Sequence, residues 1–148
     1  MIQKSEWRQR LLQLRKKIPK ERREEAARHC LERLKSRGRI LSFSPISSEI
    51  DLGALNQVLK AEGRLWLVPY KIGPLIQFPL HEIDCILVPG LGFDKDKYRI
   101  GYGKGYYDQF LAGAAHIWTI GVGFKEQLCE EPLPRDPWDI PVKELLLV

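Results

Sequence analysis

Cysteine, histidine and methionine are scarce in this 148-residue chain, at three, three and one. Cys30, Cys85 and Cys129 are odd in number, far apart and without a CxxC pair. That excludes a disulfide scaffold and the common zinc spacings, and leaves buried or half-buried thiols of a reducing compartment. His29, His81 and His116 are equally scattered, so they are expected to be structural rather than metal ligands. Long apolar runs are also missing. The longest uncharged stretch, Gln109 to Phe124, carries glycine, glutamine and histidine and falls short of a membrane span. Charge arrives at Lys4 with no apolar segment of a secretory signal around it. A cytoplasmic protein without membrane association is the expectation. No repeat, low-complexity segment or linker divides the chain, so residues 1–148 are read as one domain with a single layered core.

Positive charge is abundant. The formal net charge is +5 and the isoelectric point about 9.2, which favours an anionic partner, nucleic acid or a small polyanion. Much of the excess precedes residue 40. Residues 3–17 have helical periodicity, with Trp7, Leu11, Leu14 and Ile18 on one apolar face. Lys4, Arg8 and Arg15 form a second stripe only about 60° away at 100° per residue. This basic stripe borders the buried face, so Lys4 and Arg8 can lean into a cleft edge.

Strand and helix then alternate. Pro19 and Glu21 suit the start of a second helix, with Ala27, Cys30, Leu31 and Leu34 on its apolar face and a stop at Gly38. Residues 39–43, 64–68, 84–88, 117–124 and 144–148 read as strands, with a short candidate at 75–78. Asp51 suits the N-cap of a helix ending near Gly63. Another helix is expected over 106–115 and a proline-rich loop over 130–141. The alternation predicts a three-layer α/β/α fold with a largely parallel, Rossmann-like sheet.

The most distinctive segment lies between the strand at 84–88 and the helix at 106. Gly101, Gly103 and Gly105 alternate with Tyr102 and Lys104, preceded by Arg99 and Ile100 and followed by Tyr106, Tyr107 and Asp108. It is neither GxxxxGK[ST] nor GxGxxG. Glycines let backbone N–H groups approach an anion, and a helix start favours one. Arg99 and Lys104 supply counter-charge. Asp108, with Asp139 or Asp136 from the late loop, could hold Mg²⁺, which takes one or two carboxylates beside phosphate and water. Glu49 follows a strand end, where ligand contacts gather in open α/β sheets. Of two adjacent helical tyrosines, at least one is expected in the core.

Phe93-Asp-Lys and Tyr98-Arg-Ile-Gly-Tyr-Gly-Lys-Gly-Tyr-Tyr-Asp108 resemble the signature of the 5-formyltetrahydrofolate cyclo-ligase family. Lys4 and Arg8, the segment Ser42–Ile50, Gly123-Phe-Lys-Glu-Gln-Leu128 and the Asp139 region resemble further family segments in the same order. The chain is short for the family, with a brief segment between Lys71 and Glu82, and Lys143 stands where an acidic residue is common. The resemblance implies ATP- and Mg²⁺-dependent cyclisation of 5-formyltetrahydrofolate to 5,10-methenyltetrahydrofolate, with ADP and phosphate released. It places Lys4 and Arg8 on the ATP phosphates and the Arg99–Tyr107 segment around the nucleotide. Tyr102, Gly103, Lys104, Gly105 and Tyr106 also face the folate, as do Ser44 and Glu49. Asp108 and Asp139 fall to Mg²⁺, and Lys104, Arg99 and Glu49 to the chemistry. A monomer with no nucleic-acid partner is expected. Two other readings compete. A nucleic-acid module would use the basic helix, but Asp96, Asp108 and the acidic 130–139 stretch would oppose it. A sugar-phosphate isomerase would need a general base and a ring-opening acid, and no such pair is evident.

Overall fold

Short apolar runs bounded by turn residues become strands, and the amphipathic stretches between them become helices. The computed structural model describes residues 2–68, 78–102 and 106–148, the last range without the Tyr106 side chain. Two helices come first, α1 (Lys4–Lys16) and α2 (Lys20–Leu34). They lead into β1 (Ile40–Phe43), α3 (Gly53–Ala61), β2 (Leu65–Val68) and β3 (Cys85–Val88). The remainder runs β4 (Gly92–Asp94), β5 (Arg99–Ile100), α4 (Tyr106–Ala112), β6 (Trp118–Gly123), β7 (Leu128–Cys129) and β8 (Glu144–Leu147). The main sheet has the order β2-β1-β3-β6-β8, and every neighbouring pair is parallel. The path runs outward from β1 to β2 and then reverses through β3, β6 and β8. Right-handed crossovers therefore put α3 and α4 on opposite faces, giving the expected three layers.

Both faces of the central strands are covered, so β1 and β3 are buried along their whole length. The main core joins Ala26, Cys30 and Leu34 of α2 and Leu55 and Leu59 of α3 to this sheet, with Tyr107, Phe110 and Leu111 of α4. All three cysteines are free and buried. Burial pushes the Cys30 thiol up to about 12 and those of Cys85 and Cys129 to about 11, consistent with unreactive packing groups. The three histidines are exposed. Among the described residues, no helix is long and apolar enough to cross a membrane.

A second, smaller sheet was not anticipated. β4 pairs antiparallel with β5 and parallel with β7, inside segments that lack strand-like periodicity. α1 lies across it. Leu11 packs with Leu91, Ile100, Cys129 and Leu133, with Trp7 and Leu12 alongside. The approach is so close that a Cβ on Gly92 would lie 2.5 Å from Leu11 Cδ1.

The remaining differences are local. Leu14 is 43% exposed, whereas Arg15 is 1% exposed. The buried face of α1 is thus Trp7, Leu11, Arg15 and Ile18, and the basic stripe turns inward at Leu14's expense. Ala26 instead of Ala27 faces the α2 core. Asp51 does not occupy the N-cap, which is Leu52, but its Oδ1 accepts the Gly53 N–H at 2.8 Å and so satisfies one free donor of α3. α4 ends at Ala112, three residues early. Of the candidate strand at 75–78, only Phe78 lies among the described residues, in a bend before a 3-10 turn at Leu80–Glu82.

Candidate nucleotide and folate site

The loops leaving the C-terminal ends of β1 and β3 flank the point where the strand order reverses, and α1 packs over them. Crevices at such points are where open α/β sheets bind ligands. Three sets of charged groups from distant parts of the chain meet nearby.

The first set links α1 to the late loop. Lys4 Nζ donates to Asp136 Oδ2 at 2.6 Å and to Asp139 Oδ2 at 2.7 Å. Burial alone would lower the Lys4 pKa, but the bonds to Asp136 and Asp139 outweigh it and raise it. Asp139 is largely buried and also accepts the Asp136 N–H at 2.8 Å. Asp136 and Asp139 are therefore not rivals in space, since one ammonium holds both.

The second set surrounds the start of α4. Asp108 Oδ1 accepts the Ile140 N–H at 3.4 Å, which brings Asp108 beside the residue that follows Asp139. Arg99 Nη2 lies 4.0 Å from Asp108 Oδ2, and its Nη1 donates to the Pro89 carbonyl at 3.2 Å. The guanidinium is buried over the Tyr107 ring, 5.2 Å from its centre, and its Nε has no hydrogen-bond partner among the described residues. Desolvation pulls the Arg99 pKa down, with Asp108 opposing it. Gly101 permits this fold-back, because a Cβ there would lie 2.5 Å from Arg99 Nη1. Arg8 Nε donates to the Gly101 carbonyl at 3.0 Å, so α1 clamps the entrance of the glycine loop.

The third set lies behind β1. Glu49 is 8% exposed. Its Oε1 accepts the Ile46 N–H at 2.8 Å, and its Oε2 is 3.5 Å from the donating Tyr102 hydroxyl. Burial raises the Glu49 pKa, only partly opposed by the Ile46 bond, Arg15 and Tyr102. Burial likewise raises that of Tyr102. Ser44 is exposed at the C-terminal end of β1.

The structure thus gathers Lys4, Arg8, Arg99, Gly101, Asp108 and Asp139 on one side and Glu49 and Tyr102 on the other. Ile100 is buried, so only its backbone is available to a ligand. Tyr107 is a core residue whose buried hydroxyl has no hydrogen-bond partner among the described residues, and burial raises its pKa. Gly103, Lys104 and Gly105 and the Tyr106 side chain lie outside the described residues. Lys143 donates to the Ala115 and Ile117 carbonyls at 2.6 and 2.8 Å, tying the end of the α4 segment to β6. The Asp108 and Asp139 carboxylates are hard oxygen donors, and among the described residues Asp108 accepts one long hydrogen bond and faces Arg99 at 4.0 Å. That donor set suits Mg²⁺ completed by phosphate and water.

Several supporting residues escaped the sequence reading. Gln127 is buried, donates to the Gly90 and Leu91 carbonyls at 2.8 and 2.9 Å and accepts the Phe124 N–H at 2.8 Å. Asp94, fully buried, accepts N–H bonds from Asp96, Tyr98 and Leu133 at 3.0, 3.1 and 2.9 Å, which fixes the turn before Arg99. Neither has a periodic signature. Arg15 did have one, because it continues Trp7 and Leu11 to Ile18 as well as Leu14 does.

Known proteins share the sequence pattern and the fold. The 5-formyltetrahydrofolate cyclo-ligase family matches residues 72–148. A mouse (Mus musculus) 5-formyltetrahydrofolate cyclo-ligase is 45% identical over 69 residues, 43% of this chain and 34% of that protein. The match therefore spans about a third of the mouse relative's length. A Mycolicibacterium smegmatis protein of the same name is 32% identical over 180 residues, covering 97% of this chain and 92% of its own. A solved 5,10-methenyltetrahydrofolate synthetase from Mycoplasma pneumoniae superposes with a TM-score of 0.79 at 25% identity, covering 97% of this chain and 98% of that one.

Proposed function

This chain belongs to the 5-formyltetrahydrofolate cyclo-ligase family, and we propose from that premise that it converts 5-formyltetrahydrofolate to 5,10-methenyltetrahydrofolate with ATP and Mg²⁺, releasing ADP and phosphate. The observation that carries the reading is the meeting of Lys4, Asp136 and Asp139 across more than 130 residues of sequence, beside Arg8 on Gly101 and Arg99 on Asp108. Cations, carboxylates and a glycine loop converge as a metal-bound polyphosphate requires.

In the proposed reaction the formyl oxygen attacks the γ-phosphoryl group and ADP leaves. N10 then attacks the activated carbon and gives up its proton, and phosphate departs with the former formyl oxygen and takes that proton up. No protein nucleophile is needed; positioning and charge neutralisation are. Arg8 and Lys4 would hold phosphate oxygens. Lys104 and the backbone of the glycine loop would line the γ-phosphoryl group. Arg99, anchored on Pro89 and Asp108, would keep the loop entrance and the metal carboxylate in register. Asp108 and Asp139 would hold Mg²⁺, which when bound neutralises charge on the polyphosphate. Glu49 and Ser44 would contact the folate, with Tyr102 beside it. Glu49, whose pKa burial raises, would hydrogen-bond a pterin through its carboxyl group.

The partner in this reading is a small molecule rather than nucleic acid. Lys4, Arg8 and Arg15 of the basic stripe are each bonded within the chain. No step requires a second copy of the protein, and a cytoplasmic monomer is the simplest form consistent with it. The test is the near-ultraviolet absorbance of the methenyl product on mixing protein, 5-formyltetrahydrofolate, ATP and Mg²⁺. A rise that disappears when either ATP or Mg²⁺ is omitted supports the proposal. Folded protein that yields no product removes it.

A further inference from the structure

We propose that Arg15 is a positioning residue for the folate half of this site, joining the β1 loop, the β3 loop and Tyr102 to the helix that carries Lys4 and Arg8. The inference rests on the cyclo-ligase reading and assigns a role to a residue outside the set that would touch nucleotide or metal.

Arg15 donates to three segments at once. Its Nε reaches Ser48 Oγ at 2.8 Å, Nη1 the Gly90 carbonyl at 3.3 Å and Nη2 the Tyr102 hydroxyl at 2.5 Å. Ser48 follows β1 and Gly90 follows β3, so the guanidinium spans the two loops at the point where the strand order reverses. It also lies 5.7 Å from the centre of the Tyr102 ring. Tyr102 in turn donates toward Glu49. Arg23 of α2 holds the same turn from another side, donating to the Ser48 carbonyl at 2.9 Å, to the Ile18 carbonyl at 2.9 Å and to the Arg15 carbonyl. Ser47 within that turn has a left-handed φ of 52°, a conformation that needs such support.

Stability alone does not explain a cation here. Arg15 is almost fully buried, and among the described residues no carboxylate lies within 4 Å of it. Burying a charge without a direct ion pair is unfavourable, since Glu49 acts on it only at longer range, and a leucine would continue the apolar face of α1. What an arginine provides at this position is a rigid planar fork that reaches three acceptors in fixed directions. Those acceptors belong to the segments that present Glu49 and Tyr102.

A double-mutant cycle tests the assignment. Arg15→Lys keeps the charge and loses the fork, and Tyr102→Phe removes the hydroxyl that receives Nη2 and donates toward Glu49. Each is expected to raise KM for 5-formyltetrahydrofolate about tenfold while KM for ATP stays within about twofold, the size of one lost charge-assisted bond. The double variant should fall clearly short of the product of the two single effects, because both break the Arg15–Tyr102 bond. Multiplying effects, or equal rises in both KM values, would overturn the proposal. Hydrogen exchange on the ligand-free protein gives a second readout. The Ile46 and Glu49 amides should exchange about tenfold faster in Arg15→Lys, with the Leu41 amide unchanged. Unchanged exchange in the turn also overturns it. If Arg15→Lys does not fold, Ser48→Ala, which removes only the Nε acceptor, carries the same comparison. If the wild-type protein makes no product, the activity reading falls, while the exchange measurement still decides the role of Arg15.

Discussion

The molecule has two cores built on different principles. The larger one, around β1, β3 and β6, is predominantly apolar, with Ser42 and Thr119 buried among aliphatic side chains: Ile40, Leu41, Ile86, Leu87 and Ile120 are completely buried, and the backbone ladder satisfies their polar groups. The smaller one, under α1, has few apolar residues and very short strands, and is held by buried polar side chains, Asp94 and Gln127. The candidate site lies along the second. Apolar burial is non-directional and supplies a stable platform. Buried hydrogen bonds are directional and set the position of loops, at the risk that losing one partner strands the others. The difference assigns stability mainly to the first core and geometry mainly to the second.

Substitutions separate these roles. The largest expected effect is on turnover: Lys104→Ala should lower kcat by at least ~100-fold, as loss of a charge at a developing phosphoryl centre does, with little change in Tm. A large drop in Tm with turnover intact would remove its role. In the large core, Ile86→Ala should destabilise the fold by about 2–5 kcal/mol while leaving kcat near wild type well below the melting temperature. Chemical denaturation and kinetics at low temperature check both halves. In the small core, Gln127→Ala should cost about 2 kcal/mol, because the Phe124 N–H and the Gly90 and Leu91 carbonyls lose their partner. Unlike Ile86→Ala, it should also lower turnover, since Gly90 is an anchor of Arg15. Equal behaviour of the two variants would erase the distinction between the cores.

The smallest effect concerns pH. Burial raises the Glu49 pKa in the folded protein, so the native state binds its proton more tightly than the unfolded chain. Stability from this group is complete below the ordinary value of 4.5 and is lost as pH rises through the raised folded value. Glu49→Gln, which keeps an acceptor for the Ile46 N–H, should match wild type in acid and exceed it in stability toward neutral pH. Denaturation midpoints across that range decide it. A gap that narrows as pH rises would contradict the sign.

The same contrast explains what was legible in the sequence. The five main strands follow from apolar runs bounded by turn residues, and each lies within a residue or so of its expected limits. β4, β5 and β7 have two or three residues each, too few for a period to show. Their pairing depends on Asp94 and Gln127 finding backbone partners far along the chain. The inward lean of Lys4 and Arg8 was legible because their basic stripe borders the buried face of α1. The meeting of Lys4 with Asp136 and Asp139 was not, since spacing says nothing of which late loop folds back onto α1. Arg15 was misread for a physical reason: helical periodicity selects a buried face by hydrophobicity, and here a polar fork took a position that Leu14 could have filled.

The central claim is phosphoryl transfer to the formyl oxygen, and one isotope measurement tests it most directly. The protein is incubated with 5-formyltetrahydrofolate labelled with heavy oxygen in its formyl group, together with ATP and Mg²⁺, and the released phosphate is analysed by mass spectrometry. The account predicts that the label leaves in the phosphate, one atom for each methenyl group formed. Methenyl product formed with unlabelled phosphate, the heavy oxygen passing to water instead, would contradict it.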